Sequence, residues 1–595
     1  MMVRNLALAL MSGILLFAAG PHAARADEAK ATSLGKRIEN FELKDFQGKP
    51  FSLSQLRDKP AVVVAFLGTE CPLATLYAPR LVQLAERFAE QGVAFVGINA
   101  NQQDSLSELA AYGKIYGVNF PLLKDVGNAV ADAFGAVRTP EVFLLDKDRV
   151  VRYRGRIDDQ YVVGSKRKQP TREDLSVAIE EVLAGKSVSQ ATTDAPGCRI
   201  GRVYQPKADA KVTYTKHVAA VLNKRCVECH RAGEIGPFSL ARYEDAVGWA
   251  ETIAEVVEAG RMPPWHADPA YGTFRNDCRM SDAEKQVIYD WVAGGAPEGD
   301  RKDLPAAPQF ADGWRLPRVD QEVFMSKTAV DVPAEGTVNY KYFSVDPGFT
   351  EDKWIAGAQC KPGNRGVVHH IILFMRPPDG QRTDRGDGNE SGFVTATAPG
   401  ASPLLLADGM AKRVPAGSKL VFQIHYTPNG SPQQDKSSVG LMFADPATVK
   451  KRVDTTAVET HLIFIPPQVA DYPLSAESSM RRDALLLSLF PHMHLRGKAF
   501  RYEAEYPDGR KEILLDVPRY DFNWQQTYEL AEPKLLPKGT RIRCFAHYDN
   551  STENLANPNP KRIVTWGEQT WDEMLMGFMD TTEPDAAVQA SAGGQ

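Results

Sequence analysis

Cysteine and histidine are both scarce in this chain, so the places where they occur are informative. The 595 residues include 7 cysteines and 11 histidines. So few cysteines in so long a chain exclude a disulfide scaffold of the kind that stabilises small secreted domains. Close histidine pairs are rare by chance at this frequency, yet the sequence contains His369-His370 and His492-Met493-His494. These pairs are candidate metal-binding positions.

The chain also lacks an excess of charge of one sign. Lysine and arginine number 70 against 75 aspartate and glutamate, which leaves a net charge of −5. This balance predicts neither nucleic-acid binding nor polybasic contact with a membrane surface. Because a single hydrophobic core stops growing at about 250–300 residues, we expect about three to five domains.

Long apolar runs are missing after the N-terminus. The run over residues 6–20 follows Arg4 and precedes Ala24-Arg25-Ala26, a pattern typical of a secretory signal peptide cleaved after Ala26. An uncleaved membrane anchor is the less favoured alternative, because the run is short and ends in a cleavage site. We therefore expect a signal peptide over residues 1–26 and a soluble periplasmic protein with no membrane span.

Residues 33–190 alternate strand and helix patterns. The apolar run Ala61–Leu67 predicts a buried strand, the segment GTECP at 68–72 opens an amphipathic helix, and a second strand follows at Val93–Ile98. This alternation predicts an α/β domain with a mainly parallel sheet. The polar segment 187–197 predicts a linker after it.

These features, with Thr139-Pro140 before another apolar run, resemble the thioredoxin-like redoxin family, which is related to peroxiredoxins and periplasmic thiol-disulfide oxidoreductases. The resemblance implies a catalytic Cys71 at a helix N-terminus, facing a cis-proline turn at Thr139-Pro140. The sequence departs from the C-x-x-C motif, because Ala74 occupies the position of the resolving cysteine. Three roles remain open for Cys71: pairing with Cys198, a one-cysteine site, or none in a domain that only docks a partner.

Residues 200–302 contain the C-x-x-C-H pattern of covalent haem attachment, at Cys226, Cys229 and His230. Two thiols on one helical turn can reach the haem vinyl groups while the next imidazole reaches the iron. Predicted helices flank the motif at 212–224 and 282–291, and a capping box opens the second. The block resembles small all-α cytochrome c domains, which implies one covalently attached haem c.

Two residues are candidates for the distal haem ligand. A methionine followed by proline is a usual distal-ligand setting in cytochromes c, which favours Met262, with His266 as the alternative. Cys278 has no role in this motif and could bridge to Cys198.

From residue 305 to 582, short runs rich in valine, tyrosine and phenylalanine alternate with glycine and proline turns. The pattern predicts an all-β pair of sandwiches of the jelly-roll class, over residues 305–446 and 447–582. The candidate ligands divide between them: His369, His370 and His425 in the first, and His492, His494 and Met574 in the second. Read as a strand, His492 and His494 would point to one face.

The order of these pieces resembles the copper type II, ascorbate-dependent monooxygenase family, which includes peptidylglycine α-hydroxylating monooxygenase and dopamine β-monooxygenase. The matching segments are the His369-His370 pair, QIHY at 423–426, the H-x-H with its following Gly-Lys, and DEM at 572–574. The resemblance implies two copper ions. His369, His370 and His425 would hold the ion that stores and passes an electron. His492, His494 and Met574 would hold the ion where dioxygen binds and a substrate C–H bond is attacked.

Strand geometry sets a condition on the first site. Neighbours in a strand point to opposite faces, so His369 and His370 can share a metal only at a bulge or an irregular strand end. The substrate also differs from that of the peptide-amidating members. The positions at which those enzymes anchor a carboxylate hold Phe490, Met576 and Phe578 here, which favours an apolar or aromatic substrate.

The sequence thus predicts a periplasmic monooxygenase that uses dioxygen on a small-molecule substrate, with the haem domain passing electrons from a periplasmic donor. The alternative is a redox or copper-handling protein without oxygenase activity, and a structural zinc site is the main rival for the histidines. A Cys360–Cys544 disulfide is a further possibility, since Leu575 replaces the cysteine that pairs with Cys544 in animal members.

Overall fold

The structure, a computed structural model, describes residues 33–585 except 311–312, 335, 337, 379–391, 399–400 and 430. The predicted signal peptide lies outside the described residues. Within those ranges, no helix combines the length and apolar character needed to cross a bilayer.

The first domain is an α/β unit with a seven-stranded sheet in the order β2-β1-β5-β4-β3-β7-β8. Its strands are β1 (Glu42–Asp45), β2 (Pro50–Ser52), β3 (Ala61–Phe66), β4 (Ala94–Asn99), β5 (Leu122–Lys124), β6 (Arg138–Thr139), β7 (Glu141–Asp146), β8 (Val151–Gly155), β9 (Tyr161–Val162) and β10 (Ser165–Lys166). Its helices are α1 (Pro72–Ala89), α2 (Leu106–Ile115), α3 (Ala129–Phe134) and α4 (Asp174–Leu183).

The prediction of a mainly parallel sheet is wrong. Only the β3–β4 and β4–β5 pairs are parallel, and the pairs on either side of them are antiparallel. Short turns, such as the one between β7 and β8, join consecutive strands as hairpins, and strands joined in this way are antiparallel. Every residue of β3 is buried, as expected for a central strand with both faces covered. The expected cis bond between Thr139 and Pro140 is confirmed.

The described elements of the second block are mainly helical. They are a short strand β11 (Cys198–Arg199), a π-helical turn (Tyr214–Val218), and the helices α5 (Ala219–Arg225), α6 (Tyr243–Val247), α7 (Ala250–Glu258) and α8 (Asp282–Ala293). The capping box predicted at the start of α8 is present, because the Ser281 hydroxyl accepts from the Glu284 amide. Buried Trp249 and Trp291 lie in the core of this block.

The third block is β-rich, as predicted. Its first half contains β12 (Gln321–Phe324), β13 (Val330–Val332), β14 (Lys341–Val345), β15 (Lys353–Lys361), β16 (Val368–Arg376), β17 (Phe393–Thr397), β18 (Leu404–Leu405), β19 (Met410–Val414), β20 (Lys419–Tyr426), β21 (Gln433–Asp435) and β22 (Ser438–Phe443). Its second half contains β23 (Lys451–Glu459), β24 (Phe464–Ile465), β25 (Tyr472–Ser479), β26 (Ala484–His492), β27 (Gly497–Glu505), β28 (Lys511–Val517), β29 (Tyr528–Leu536), β30 (Arg541–Tyr548), β31 (Val564–Thr565) and β32 (Met576–Thr582).

Each half packs a four-stranded sheet against part of one long sheet. The four-stranded sheets have the orders β14-β20-β16-β17 and β25-β30-β27-β28. The long sheet runs β12-β22-β15-β19-β23-β32-β26-β29, so it passes from the first half to the second through the parallel pair β19–β23. We call the halves the first and second sandwiches. The two sandwiches are joined edge to edge in one sheet. The sequence did not predict this, because strand pairing between distant segments leaves no local pattern.

The helical block is fastened to the second sandwich through apolar burial. Trp265 and Phe274 are 6% and 7% exposed and belong to the core of that sandwich, where both rings pack edge-on against Tyr528. Backbone bonding continues the contact, since the Arg275 amide donates to the Glu529 carbonyl. The block is therefore positioned by the sandwich as well as by its own core.

Replacing Trp265 by alanine tests this packing. Removing a buried indole leaves a cavity, so the free energy of unfolding of the cooperative unit that contains the second sandwich should fall by about 3–5 kcal/mol. Denaturant unfolding followed by tryptophan fluorescence and circular dichroism would measure it. Phe464→Ala, at a ring that is 56% exposed, is the control and should change stability little. Equal effects of the two substitutions would contradict the described packing.

Candidate functional site

Three predicted ligands converge on neighbouring strands. His370 lies directly opposite His425 in the antiparallel pair β16–β20, and the register shifts between Val368 and His370. This irregularity is the bulge required for His369 to turn toward the same side as its neighbour. One ring nitrogen from each of His369, His370 and His425 lies within 4.8 Å of the others.

The environment of these rings suits a metal ion. The Nδ1 atoms of His369 and His370 are 3.1 Å apart, and His370 Nε2 and His425 Nδ1 are buried without a hydrogen-bond partner. Burial, reinforced by the neighbouring imidazoles, holds the pKa values of His370 and His425 well below the ordinary range. The rings are therefore neutral, with lone pairs available to a metal ion, and three imidazoles suit copper or zinc.

The second pair of histidines lies at a strand end. His492 is the last residue of β26, whereas His494 lies beyond it, so the expectation that one strand carries both is wrong. The chain leaves the strand at Met493, whose backbone N–H donates to the Tyr520 hydroxyl at 3.1 Å instead of to a neighbouring strand. The two rings nevertheless approach to 5.2 Å between centroids at 88°.

Hydrogen bonds at one nitrogen hold each ring of this pair. His492 Nδ1 is 2.6 Å from Gln525 Oε1, and His494 Nδ1 is 3.2 Å from the Asp572 carbonyl oxygen. Bonds of this kind orient imidazoles for metal binding through Nε2. His494 Nε2 is buried without a hydrogen-bond partner, and burial lowers the pKa of His492 to about 4.

The segment that carries Met574 is held by hydrogen bonds to the turn that carries His494. The Glu573 carboxylate accepts from the backbone N–H groups of His494 and Arg496 at 2.9 and 2.7 Å. The Met574 carbonyl accepts from the Tyr548 hydroxyl at 2.7 Å, and the side chain is 9% exposed. The segment that carries Met574 is therefore bound directly to the turn that carries His494.

Two aromatic rings span the histidines of both sandwiches. Tyr340 lies 5.2 Å from His425 and 6.2 Å from His494, measured between ring centroids. Phe522 stacks on His369 at 5.4 Å and meets His494 at 6.3 Å. The five histidines thus surround one aromatic-filled junction between the sandwiches, and sequence analysis singled out neither ring.

The segment Arg519–Gln526, here called the junction loop, connects this centre to the other two blocks. The Asn523 side chain reaches His369 Nε2 with Oδ1 at 3.2 Å, while its Nδ2 donates to the Gly164 carbonyl in the β9–β10 hairpin at 2.7 Å. Gln526 Nε2 donates to the Pro264 carbonyl at 2.6 Å. No motif marks this loop, so only its contacts identify it.

An apolar patch lies next to His492. Phe393, Phe490 and Phe578 meet with centroid separations of 5.2–5.9 Å, and Phe490 lies 6.4 Å from His492. A cation that sequence analysis missed, Lys412, lies over Phe393 and is paired with Asp580 at 3.0 Å. Because that pair neutralises the lysine, the patch retains the apolar character expected from the sequence.

The haem-attachment motif forms one turn after α5. The His230 amide donates to the Cys226 carbonyl at 2.9 Å, so Cys226, Cys229 and His230 share a single turn. His230 Nδ1 is 3.2 Å from the Phe238 carbonyl oxygen, which leaves Nε2 for an axial iron bond. Burial lowers the pKa of His230, so its ring is a neutral donor.

The two candidates for the distal position lie on the segment after α7. Met262 is half-buried there. Both ring nitrogens of His266 are buried without a hydrogen-bond partner, and the charges of Arg519 and Asp521 in the junction loop influence its pKa, which burial lowers. The choice between Met262 and His266 stays a prediction.

The cysteines are all unbridged, and one pair is in contact. Cys198 packs against the core that contains Cys71, with both thiols free, and the pairing of Cys71 with Cys198 stays a prediction. The Cys360–Cys544 bond is wrong, because the two thiols lie in the cores of different sandwiches. The suggested bridge between Cys198 and Cys278 is not formed either, and Cys278 Sγ contacts the Pro264 carbonyl at 3.4 Å.

Comparisons with known proteins concern the first domain. Residues 34–154 match the AhpC/TSA family. Peroxiredoxin Q of Sedum lineare is 36% identical over 130 residues, 21% of this chain and 68% of that protein. The thiol-disulfide oxidoreductase ResA of Halalkalibacterium halodurans is 32% identical over 113 residues, 19% of this chain and 62% of that protein. A hypothetical protein of Sinorhizobium meliloti, known from its crystal structure, is 38% identical, with a TM-score of 0.27 over 29% of this chain and 94% of that one. The redoxin resemblance of the first domain is confirmed.

Metal content tests the histidine centre. Protein matured in a periplasm that attaches haem should bind two copper ions per chain. His425→Ala should reduce this to one, because it removes one of three imidazoles from the first group and none from the second. His461→Ala, which removes a ring stacked on Trp566 outside the centre, is the control and should keep both ions. Elemental analysis after copper reconstitution measures the content, and absence of copper in the unmodified protein would contradict the site.

Proposed function

We propose that this chain, which belongs through residues 34–154 to the AhpC/TSA family, is a periplasmic multidomain oxidoreductase. From its histidine centre, and not from that family, we propose more specifically a copper-dependent monooxygenase. Its reaction would insert one oxygen atom of dioxygen into a C–H bond of a small apolar substrate. The observation that carries the proposal is the convergence of five histidines at the junction of the sandwiches, of which three are buried and two partly buried. Such a set of unprotonated imidazoles has no role in ordinary core packing.

The proposed copper ligands form two groups, one for each ion. His369, His370 and His425 would hold one copper ion, and His492, His494 and Met574 the other. Two imidazoles with a thioether favour the reduced form of copper and leave a coordination position open. When bound, copper would supply the one-electron chemistry that activates dioxygen. Gln525 keeps the His492 ring oriented for this role through its 2.6 Å contact with Nδ1.

The apolar patch beside His492 supports the substrate class. Phe490 and Phe578 are 5% and 4% exposed and face Phe393 across the junction. A patch of this composition would bind aromatic or aliphatic groups, and Lys412, the cation that lies over Phe393, is already paired with Asp580. We therefore propose an apolar small molecule, not a peptide carboxylate, as the substrate.

The helical block would provide electrons. Cys226, Cys229 and His230 would hold one haem c, which would accept single electrons from a periplasmic carrier. The segment that follows α7 contacts the junction loop through Pro264, and Asn523 of the same loop contacts His369. The protein thus connects the haem-binding block with the three-histidine group through one short loop.

A thiol redox or copper-handling role without oxygenase activity is the second candidate. The relatives named peroxiredoxin and thiol-disulfide oxidoreductase favour it, as does the contact between Cys71 and Cys198. In that role the histidines would store or deliver copper. Oxygen consumption separates the two functions, because only the monooxygenase couples it to a substrate.

Oxygen uptake is the direct test of the monooxygenase. Copper-loaded protein with a small reductant should consume oxygen in response to apolar compounds from a substrate screen, with one hydroxylated product per dioxygen. His492→Ala should abolish the coupled uptake, whereas His547→Ala, which removes an imidazole paired with Asp471 on the surface, should not. Copper binding without any substrate-dependent uptake would favour the second candidate.

Loss of haem tests the electron path. Cys226→Ala should slow turnover supported by a reduced protein donor but spare turnover driven by a small reductant, because the copper ligands are untouched. Cys278→Ala, a half-buried cysteine outside the haem motif, is the matched control. Steady-state oxygen uptake with each donor measures the two rates, and equal loss of both would indicate that the haem is structural.

A further inference from the structure

The first domain lacks the second cysteine of a C-x-x-C motif, but another cysteine occupies the space beside Cys71. Cys198 belongs to β11, which follows the linker and pairs antiparallel with β6. In this register Cys198 lies opposite Thr139, and the Thr139 carbonyl is 2.9 Å from Cys71 Sγ. The chain therefore returns to the domain after the family match has ended and places a thiol at Cys71.

The protonation states of the pair suit disulfide chemistry. Burial alone would raise the pKa of Cys71, but the electrostatic influence of the neighbouring Cys198 and Thr139 and of the backbone at Cys198 and Ala74 lowers it to about 6. The pKa of Cys198 is raised well above its ordinary value, because its proton is held by Cys71 and because it is buried. Cys71 is thus the more acidic of the two cysteines and the better leaving group.

The two sulphur atoms differ in access. Cys71 is 0% exposed, whereas Cys198 is only partly buried. In a disulfide between them, an external thiolate would reach Cys198 first. Exchange is fast when the attacked sulphur is accessible and the departing thiol has a low pKa, and here the departing sulphur would be Cys71.

Contacts on both sides hold Cys198 in this place. The Arg199 amide donates to the Thr252 hydroxyl of α7 at 3.1 Å, and its guanidinium contacts Glu255 at 2.8 Å. Arg138 of β6 contacts the same carboxylate at 2.8 Å. The pair therefore lies at the interface between the first domain and the helical block, where β11 has a partner on each side.

We propose that Cys198 is the resolving cysteine of the first domain, and that the Cys71–Cys198 pair exchanges a disulfide with an external dithiol that enters at Cys198. A thiolate of the dithiol attacks Cys198 Sγ, the Cys71–Cys198 bond breaks, and Cys71 departs as a thiolate. The second thiolate of the dithiol then attacks the first sulphur of the same dithiol in the mixed disulfide. This step releases Cys198, which takes a proton. Two electrons pass from the dithiol, which becomes a disulfide, to the cysteine pair. This inference rests on the thiol redox role given above as the second candidate and requires no copper.

Peptide mapping tests the pair in the full-length holoprotein. The protein is equilibrated with oxidised dithiothreitol, quenched in acid, blocked with N-ethylmaleimide and digested, and the linked peptides are identified by mass spectrometry. The expected product joins the Cys71 and Cys198 peptides, and reduced dithiothreitol should remove the link. Cys360→Ser, at a fully buried thiol in the first sandwich, is the control and should retain the link. Absence of the link in the unmodified protein would overturn the proposal.

Trapping with reduced glutathione tests which sulphur of the oxidised pair is attacked. Glutathione added to the Cys71–Cys198 disulfide and quenched in acid should be found on Cys198 at least tenfold more often than on Cys71. The reverse preference would overturn the entry role of Cys198. A link between Cys71 and any other cysteine would overturn the resolving role while leaving thiol chemistry intact. Failure of the wild-type protein to reduce a protein disulfide such as insulin, with the link present, would instead exclude the broader thiol-exchange function.

Discussion

The junction loop joins all three blocks at the histidine centre. Asn523 bonds both to His369 and to the Gly164 carbonyl of the first domain, and Gln526 bonds to Pro264 of the helical block. Gln525 of the same loop orients His492. Gln525 is buried, and a buried amide left without a partner costs about 1–3 kcal/mol, so its bonds to His492 and to the Phe522 carbonyl stabilise this position. One loop therefore couples the positions of both neighbouring blocks to the orientation of the histidines.

Burial of neutral imidazoles is the second constraint. Desolvation lowers the pKa values of all five histidines at the junction, and three ring nitrogens there have no hydrogen-bond partner: His370 Nε2, His425 Nδ1 and His494 Nε2. A folded protein rarely leaves polar atoms in this state unless a ligand satisfies them. Cys71 is buried too, but its thiol has a partner, because it donates to the Thr139 carbonyl at 2.9 Å. The cysteine is thus satisfied by a distant part of the chain, whereas the three ring nitrogens are not.

Much of the fold was predictable because local patterns carry it. The strand Ala61–Phe66, the helix Asp282–Ala293 with its capping box, and the strands that hold His370 and His425 all follow from periodicity and end signals. The need for a bulge at His369 also followed from the alternation of side chains along a strand. The parallel character of the first sheet and the strand setting of His494 were mispredicted, because both depend on how turns direct the chain in space.

The sequence by itself determined the chemistry available to this protein: two histidine pairs, a C-x-x-C-H turn, and a redoxin domain with one cysteine in its motif. Only the tertiary structure decided which of these groups meet. Cys198 reaches Cys71 through the pairing of β11 with β6, and Phe522 and Tyr340 reach the histidines of both sandwiches. The physical reason is separation along the chain. The Asn523–Gly164 bond joins residues 359 positions apart, and contacts of that range leave no periodicity or spacing in the sequence.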